Sequence, residues 1–404
     1  MPANQSHEVG NQQSAEKYDR AIAYSQGGYW IYFTTTAYTL SVLWAMIRWQ
    51  VGPRLRDWAE RKSRARWLQF LLYVPALLLV FGVLVLPTDI WAHWHEREYG
   101  QSVESWASWF AGWTIAEITV LISGSLAVAL VYFTMRHSPN RWWLWLWMLA
   151  VPLIVVVVFV QPVVLDPLFN NFEPLDRSHP ELVDSIEKIV ARAGQVLPRE
   201  HIYLLKVSDK STGEDAFSDG FGPTKRIYIS DTMIAAEPAP ATLVLVAHEI
   251  GHHMMVLDWV EFAVAVLLSL DLFWAVNRIF GGTITRWGKG WNIRGLDDWA
   301  ALPLLALLVS LIVVALTPAV NGLSRYREHE ADRCGLELVH GLVPNAGEIV
   351  ARAFQRDAES DLSDPNPPGF VRWWYFDHPP ISERVAFFRS YDPWSRGEQP
   401  RYVK

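Results

Sequence analysis

Six apolar stretches, each close to the length needed to cross a lipid bilayer, restrict the fold of this chain more than any other feature. A membrane-spanning helix needs about 20 mainly apolar residues. Five of the six stretches carry no charged residue, and the fifth in chain order holds three acidic ones. In chain order they are Gly27–Ile47, Trp67–Thr88, Ile118–Met135, Trp142–Leu165, Leu257–Val276 and Trp299–Val320. Several are bordered by Trp, Tyr or Arg, which favours a multi-pass membrane protein over buried helices of a large soluble one.

Two polar stretches, 166–247 and 321–404, have the composition of water-exposed protein. The first contains an amphipathic helix pattern at Glu181–Ala193 and two strand-like runs, His201–Val207 and Arg226–Ser230. We therefore predict a mainly α membrane protein, a bundle of about six transmembrane helices with a small α+β domain. Along the chain this gives four parts: 1–165 with four spans, 166–255, 256–320 with two spans, and 321–404.

The cations are distributed unevenly among the loops. The loop Arg48–Arg66 carries seven Lys and Arg residues, and Arg136–Arg141 and Asn277–Asp298 carry two and four. Basic loops face the cytoplasm in most membrane proteins, so this count predicts that both polar stretches lie outside the cytoplasm. Residues 1–26 lack the basic start of a signal peptide, and none is expected.

Overall composition excludes several classes of protein. The net charge is −7 and no basic tract is present, so no nucleic-acid partner is expected. The single cysteine, Cys334, excludes an intrachain disulfide framework and any multi-cysteine metal site.

One short motif indicates a metal site. Residues 248–252 read H-E-I-G-H. On a helix, His248 and His252 lie four residues apart on one face, where both can bind the same ion. Glu249 then lies beside the ion, in a position to accept a proton from water. Because this pattern is short, it is only a candidate by itself.

A third ligand is expected downstream, because catalytic zinc usually has three protein ligands. Glu328 and Asp332 are one helical turn apart in the sequence E-H-E-A-D. Glu328 is suited to bind the metal, and Asp332 to hold the free nitrogen of a ligating histidine. His329 and Glu330 are competing candidates by residue type.

These motifs together resemble the integral-membrane zinc endopeptidases that include the type I CAAX prenyl proteases. The resemblance also rests on D-P-L-F-N-N-F-E-P-L at Asp166–Leu175, on Asp215–Phe221 with Lys225–Thr232, and on H-P-P-I-S-E-R at 378–384. It covers residues 18–390 in order. It implies one zinc ion per chain and a polar, water-filled chamber among the membrane helices.

Residue by residue, the resemblance implies a complete site. His248, His252 and Glu328 would bind zinc, and Glu249 would be the general base. Asp332 would orient His248, His378 would stabilise the oxyanion, and Arg384 would lie near Glu328 or the tetrahedral intermediate. Asp215, Ala216 and Phe217 would form the substrate-binding edge strand; Asp215 replaces the family's usual Asn, whose amide donates a hydrogen bond to the substrate.

The resemblance also bears on substrate and location. The additional N-terminal span of the eukaryotic enzymes is not expected here, which favours a prokaryotic member in a bacterial inner membrane. Its expected substrate is a peptide or protein, lipidated or membrane-associated. Family topology places the active site in the cytoplasm, in conflict with the loop charges.

Two alternatives remain open. One is a quality-control protease of the heat-shock membrane type, with the same chemistry and a different substrate. The other is a cation transporter or channel that uses the histidines and membrane acids, which predicts ligands near the bilayer midplane. A catalytically idle binding protein is disfavoured by the intact Glu249.

Overall fold

The computed structural model describes residues 3–160, 171–208, 216–220, 224–255 and 258–403. Within these ranges the chain is mainly helical, with one small sheet. The helices are α1 Ala3–Arg48, α2 Val51–Lys62, α3 Arg66–Glu98, α4 Trp106–His137, α5 Trp142–Val160, α6 Pro180–Arg192, α7 Asp231–Ala236, α8 Ala239–Met255, α9 Asp258–Trp287, α10 Leu302–Val339, α11 Ala346–Ser360, α12 Gly369–Trp374 and α13 Ile381–Ser390. The strands are β1 Phe172–Pro174, β2 Ile202–Leu205, β3 Ala216–Asp219 and β4 Arg226–Ser230.

The chain folds into two compact units. The helical unit comprises residues 22–151 and 265–317, and the mixed unit comprises 1–21, 152–264 and 318–404. The predicted division into four consecutive parts remains a prediction.

Four helices among the described residues are long and apolar enough to cross a membrane: 66–98, 106–137, 263–291 and 299–339. Many of their apolar side chains are exposed, including Ile115, Ile122 and Leu126 of α4. An apolar surface of this extent is suited to lipid rather than water. The chain is therefore an integral multi-pass membrane protein.

The number of spans differs from the six predicted. Gly27–Ile47 lies within α1 but is not among the four, because its Tyr, Thr and Ser residues reduce its hydropathy although it is uncharged. In the predicted span Trp142–Leu165, Trp142–Val156 forms a shorter apolar helix, and residues 161–165 lie outside the described residues. The polar chamber remains a prediction.

One cation of the basic loop is not at the surface. Arg56 is buried on the inner face of α2, where its guanidinium bonds Asp298 at 2.6 Å and Asp57 at 2.8 Å. Pairing of this kind is what permits a charge to be buried. Arg56 thus joins α2 to the segment preceding α10.

The sheet of the mixed unit has the strand order β1-β2-β4-β3. β2 and β4 are parallel, whereas β1 and β3 pair antiparallel at the two ends of the sheet. Because side chains alternate along a strand, one face is aromatic and the other aliphatic. The aromatic face presents Phe172, Tyr203, Phe217 and Tyr228.

The aliphatic face of the sheet forms the core of the mixed unit. Ile202, Leu204, Ile227 and Ile229 are buried there against apolar residues of α6, α8 and α10. The predicted amphipathic helix and both predicted strands are present as α6, β2 and β4. The sheet and α8 together form the framework on which the predicted site lies.

Candidate metal and catalytic site

Helix α8 carries the two histidines on one face. Val244, Ala247 and Ile250 of this helix are buried in the core of the mixed unit, which determines how the helix is rotated. His248 and His252 therefore project together, with ring centroids 4.8 Å apart and ring planes nearly perpendicular. The side chain of His253 lies outside the described residues.

Helix α10 brings a carboxylate between the two imidazoles. Glu328 Oε2 lies 3.3 Å from His248 Nε2, and Glu328 Oε1 lies 3.3 Å from His252 Nε2. The potential ligand atoms of these three residues all lie within 4.8 Å of one another. Two helices that are far apart in sequence thus converge on one point.

These three residues fit a divalent metal ion. Glu328 is buried, and its Oε2 accepts no hydrogen bond of good geometry from the described residues. A buried carboxylate oxygen without a partner is destabilising unless a cation is beside it. Two imidazole nitrogens and one carboxylate oxygen are also a donor set that metals bind in hydrolytic enzymes.

The pKa of His248 also indicates that the site favours a positive charge beside the Glu328 carboxylate. Burial lowers the pKa of His248, but the Asp332 and Glu328 carboxylates in close contact with its two ring nitrogens outweigh burial and raise that pKa to about 9. This shift favours the protonated form of the ring when no metal is bound. A metal ion would replace this proton as the positive charge between the two carboxylates.

Asp332 holds the second nitrogen of His248 and is itself held by an arginine. Its Oδ1 lies 2.9 Å from His248 Nδ1. Arg384 of α13 donates two bonds to its carboxylate, from Nη2 at 2.6 Å and from Nε at 2.9 Å. The Arg384 guanidinium also lies over the Phe354 ring, 4.2 Å from its centroid. This bidentate pair fixes the carboxylate that lies against His248 Nδ1.

Arg384 Nη2 lies 4.0 Å from Glu328 Oε2. The Arg384 side chain is buried, and both hydrogen bonds that it donates within the described residues go to Asp332. Arg384 is thus connected to His248 through the Asp332 carboxylate.

His378 lies in the loop before α13 and approaches the Glu328 carboxylate. Its Nε2 is 3.4 Å from Glu328 Oε2 and its Nδ1 is 2.9 Å from Asp377 Oδ1. About half of the His378 side chain is exposed, which leaves it accessible to a bound substrate. The Pro379–Pro380 pair that follows leads directly into α13.

Two residues of α10 that the sequence analysis did not identify anchor this loop. Asn321 Nδ2 donates to the carbonyl of Trp374 at 2.6 Å, and Arg325 donates to the carbonyls of Arg372 and Phe376. Both lie on the same helix as Glu328: Arg325 is one turn before it and Asn321 is two turns before it. No motif marks them, because their partners are backbone atoms about 50 residues away.

Glu249 is hydrogen-bonded to the edge of the sheet. Its Oε2 accepts bonds from the backbone N–H of Ser218 at 3.2 Å and from Ser218 Oγ at 3.0 Å. The sequence motifs did not identify Ser218 as a functional residue either, although it lies within the segment D-A-F-S-D-G-F, on which part of the family resemblance rests.

Two glycines allow α8 and α10 to pack closely. A Cβ atom on Gly335 would lie 2.9 Å from the backbone nitrogen of His248, and one on Gly251 would lie 3.1 Å from the Ala331 carbonyl. Real Cβ atoms are essentially never found at the first distance, and the second is tighter than nine in ten real Cβ contacts. The spacing of the two ligand-bearing helices thus depends on these glycines.

The competing candidates lie elsewhere. Glu330 bonds Arg333 at 2.7 Å and Arg401 at 2.9 Å, and His329 packs against the Phe387 ring.

Of the predicted substrate-binding residues, Ala216 and Phe217 lie in the edge strand β3, with Phe217 stacked on Tyr228. Asp215 lies outside the described residues.

Comparison with known proteins finds relatives along nearly the whole chain. Residues 3–171 match the family described as CAAX prenyl protease N-terminal, five membrane helices, and residues 176–392 match peptidase family M48. The metalloprotease YhfN of Bacillus subtilis is 31% identical over 335 residues, 83% of this chain and 76% of that protein.

More distant relatives extend the match. A CAAX prenyl protease 1 homolog of Oryza sativa subsp. japonica is 25% identical over 398 residues, 94% of this chain and 88% of that protein. The crystal structure of S. mikatae Ste24p superposes with a TM-score of 0.76 and 19% identity, covering 93% of this chain and 89% of that one. The structural likeness concerns the fold alone.

Proposed function

Since this chain belongs to peptidase family M48 and is a membrane metalloprotease, we propose that one zinc ion, held by His248, His252 and Glu328, serves its hydrolysis of peptide bonds. The observation that carries this proposal is the convergence of these three side chains within 4.8 Å, with Glu249 adjacent to His248. Zinc is favoured because imidazole with a single carboxylate is a common donor set of catalytic zinc.

The metal, when bound, supplies Lewis acidity that polarises the substrate carbonyl and acidifies water. Glu249 accepts the proton of the attacking water and later delivers it to the leaving amine. His378, half-exposed beside Glu328, donates to the developing oxyanion from the substrate side. Asp332 keeps the Nδ1 proton of His248 in place, so that Nε2 points to the metal.

We propose that the substrate is a peptide or protein segment at the membrane surface. Support comes from Phe370, Trp373 and Tyr375, which are exposed by 58%, 50% and 40% and precede His378 in the chain. Exposed aromatic side chains favour apolar partners and membrane interfaces. Similarity to proteins named CAAX prenyl protease favours a prenylated CAAX segment as the substrate, whereas a quality-control protease would cleave unfolded membrane proteins.

The membrane that holds the protein and the side that its active site faces are also proposed from its relatives and its loop charges. We propose a bacterial inner membrane, in line with the similarity to a Bacillus protein. The loop charges favour an active site outside the cytoplasm.

The proposed chemistry is tested by replacing the general base. Glu249→Gln preserves size and leaves the three ligands intact, so we expect full zinc occupancy and loss of peptide cleavage by at least about a thousandfold. Purified protein in detergent would be assayed with matched prenylated and unprenylated peptides, and zinc would be measured by elemental analysis.

Glu200→Gln is the matched control, because Glu200 is an exposed glutamate of the mixed unit at a distance in sequence from every site residue. It should cleave like the wild type. Cleavage retained in Glu249→Gln, or wild-type protein without stoichiometric zinc, would contradict the proposal. Preference for one peptide of the pair would identify whether lipidation is recognised.

A further inference from the structure

We propose that Ser218 is a positioning residue for the catalytic base, holding the Glu249 carboxylate from the edge strand through its hydroxyl group. This inference rests on the general-base role proposed for Glu249. It assigns a function to a serine that neither the zinc-binding motif nor the ligand set includes.

Both polar groups of Ser218 reach the same oxygen. The backbone N–H and Oγ lie 3.2 Å and 3.0 Å from Glu249 Oε2. Hydrogen bonds to a charged acceptor are stronger than neutral ones. Two of them on one oxygen restrict rotation of the carboxylate and leave Oε1 as the oxygen that accepts the proton from water.

The geometry of the sheet explains why a residue at this position meets α8. Ser218 pairs with Ile227 and Phe217 pairs with Tyr228. Side chains alternate between the faces of a strand, so Phe217 lies on the aromatic face and Ser218 shares the face of Ile227, against which α8 packs. A shift of β3 by one residue would turn the hydroxyl away from Glu249.

Gly220, immediately after β3, lies close to Thr224, which precedes β4. Asp219 Oδ1 accepts a hydrogen bond from the Gly220 N–H at 2.6 Å, and Gly220 has a φ of 86°, which favours glycine. A Cβ atom on Gly220 would lie 2.2 Å from the Thr224 carbonyl oxygen. A glycine is thus needed for the close approach of the two backbones just beyond Ser218.

A hydroxyl that positions the base should affect the chemical step rather than binding. Ser218→Ala removes the Oγ bond and keeps the backbone bond, so Glu249 remains near the metal but is less well oriented. We expect kcat to fall roughly ten- to a hundredfold, with KM and zinc content unchanged. Ser218→Thr restores a hydroxyl and suits a strand, so it should recover most of the wild-type kcat.

The structure offers a matched control in the same unit. Ser208 Oγ donates to Asp231 Oδ2 at 2.7 Å, the same kind of serine–carboxylate bond at a different carboxylate. Ser208→Ala should keep the wild-type kcat. A common loss in Ser218→Ala and Ser208→Ala would indicate general damage to the sheet and would overturn the inference.

Three further results would also overturn it: wild-type kcat in Ser218→Ala, an effect confined to KM, or a loss in Ser218→Thr as large as in Ser218→Ala. All variants are compared with wild-type protein that contains zinc and cleaves the peptide. Failure of the wild type to cleave would refute the proposed function, whereas failure of Ser218→Ala to differ from an active wild type would refute only the role of Ser218.

Discussion

At the scale of single residues, the site contains buried charged groups in addition to its potential ligands: Asp332 is 2% exposed, and Glu328 and Arg384 are each 8% exposed. Removing one member of such a group leaves an uncompensated buried charge, which is strongly destabilising. We therefore propose that Arg384 stabilises the Asp332 carboxylate and that this carboxylate orients His248.

Replacing Arg384 by lysine should weaken metal binding. Lysine keeps the charge but cannot form the two parallel bonds to Asp332. We expect the zinc dissociation constant to rise by about ten- to a hundredfold, the usual effect of losing an outer-shell partner. Competition with a chromogenic chelator would measure it.

Arg389→Lys is the appropriate comparison for that experiment. Arg389 lies on the same helix and bonds Glu348 at 2.8 Å, at the exposed surface. Its lysine variant should bind zinc like the wild type. Equal zinc affinity in both variants would refute the role of Arg384.

At the scale of elements, the contact between α8 and α10 determines how far apart the three potential metal ligands lie. Each helix contributes a glycine where the other approaches, Gly251 on α8 and Gly335 on α10. His248 and His252 are supplied by one helix and Glu328 by the other, so their separation follows from the distance between the helix backbones. Close packing in a protein core leaves little room for an added methyl group.

Gly335→Ala should separate the two helices and reduce zinc occupancy. The added Cβ would meet the backbone of His248 at 2.9 Å, where relief requires movement of the helix itself. Overpacking of this kind costs about 1–3 kcal/mol. Thermal unfolding and zinc stoichiometry would be measured together.

Gly322→Ala, on the same helix, separates this effect from helix propensity. Its nearest neighbour would be the end of the Arg325 side chain at 3.6 Å, an ordinary contact. Alanine is the better helix former by about 1 kcal/mol, so this variant should be as stable as the wild type or more so. If Gly335→Ala behaves in the same way, the close contact does not determine the site.

At the scale of the whole molecule, the exposed charges of the helical unit bear on its orientation in the membrane. Asp57 and Glu60, the acids of the basic loop, are already bonded to Arg56 and Arg294. Six exposed cations of the loop form no ion pair within the described part of the chain: Arg48, Arg54, Arg61, Lys62, Arg64 and Arg66. Exposed tryptophans, Trp49 and Trp67, lie beside them. An excess of Lys and Arg favours the cytoplasmic side, whereas interfacial tryptophans occur at both membrane surfaces.

Cysteine labelling in intact cells should distinguish the two orientations. The native Cys334 is fully buried and gives no background. We expect Arg61→Cys to be protected from a membrane-impermeant maleimide and Glu398→Cys to react with it, because the loop charges place the basic loop inside. The reverse pattern would place the mixed unit in the cytoplasm, as family resemblance implies.

Local patterns in the sequence determined much of this protein. Apolar runs of bilayer length predict membrane helices, and the four-residue spacing of His248 and His252 places both on one helix face, because these features depend on neighbouring residues alone. Only the tertiary structure distinguishes Glu328 from Glu330, buries Arg56, and brings Ser218 to Glu249. Each of these depends on how elements distant in sequence pack together, and helix rotation and strand register are decided by the whole core rather than by the local residues.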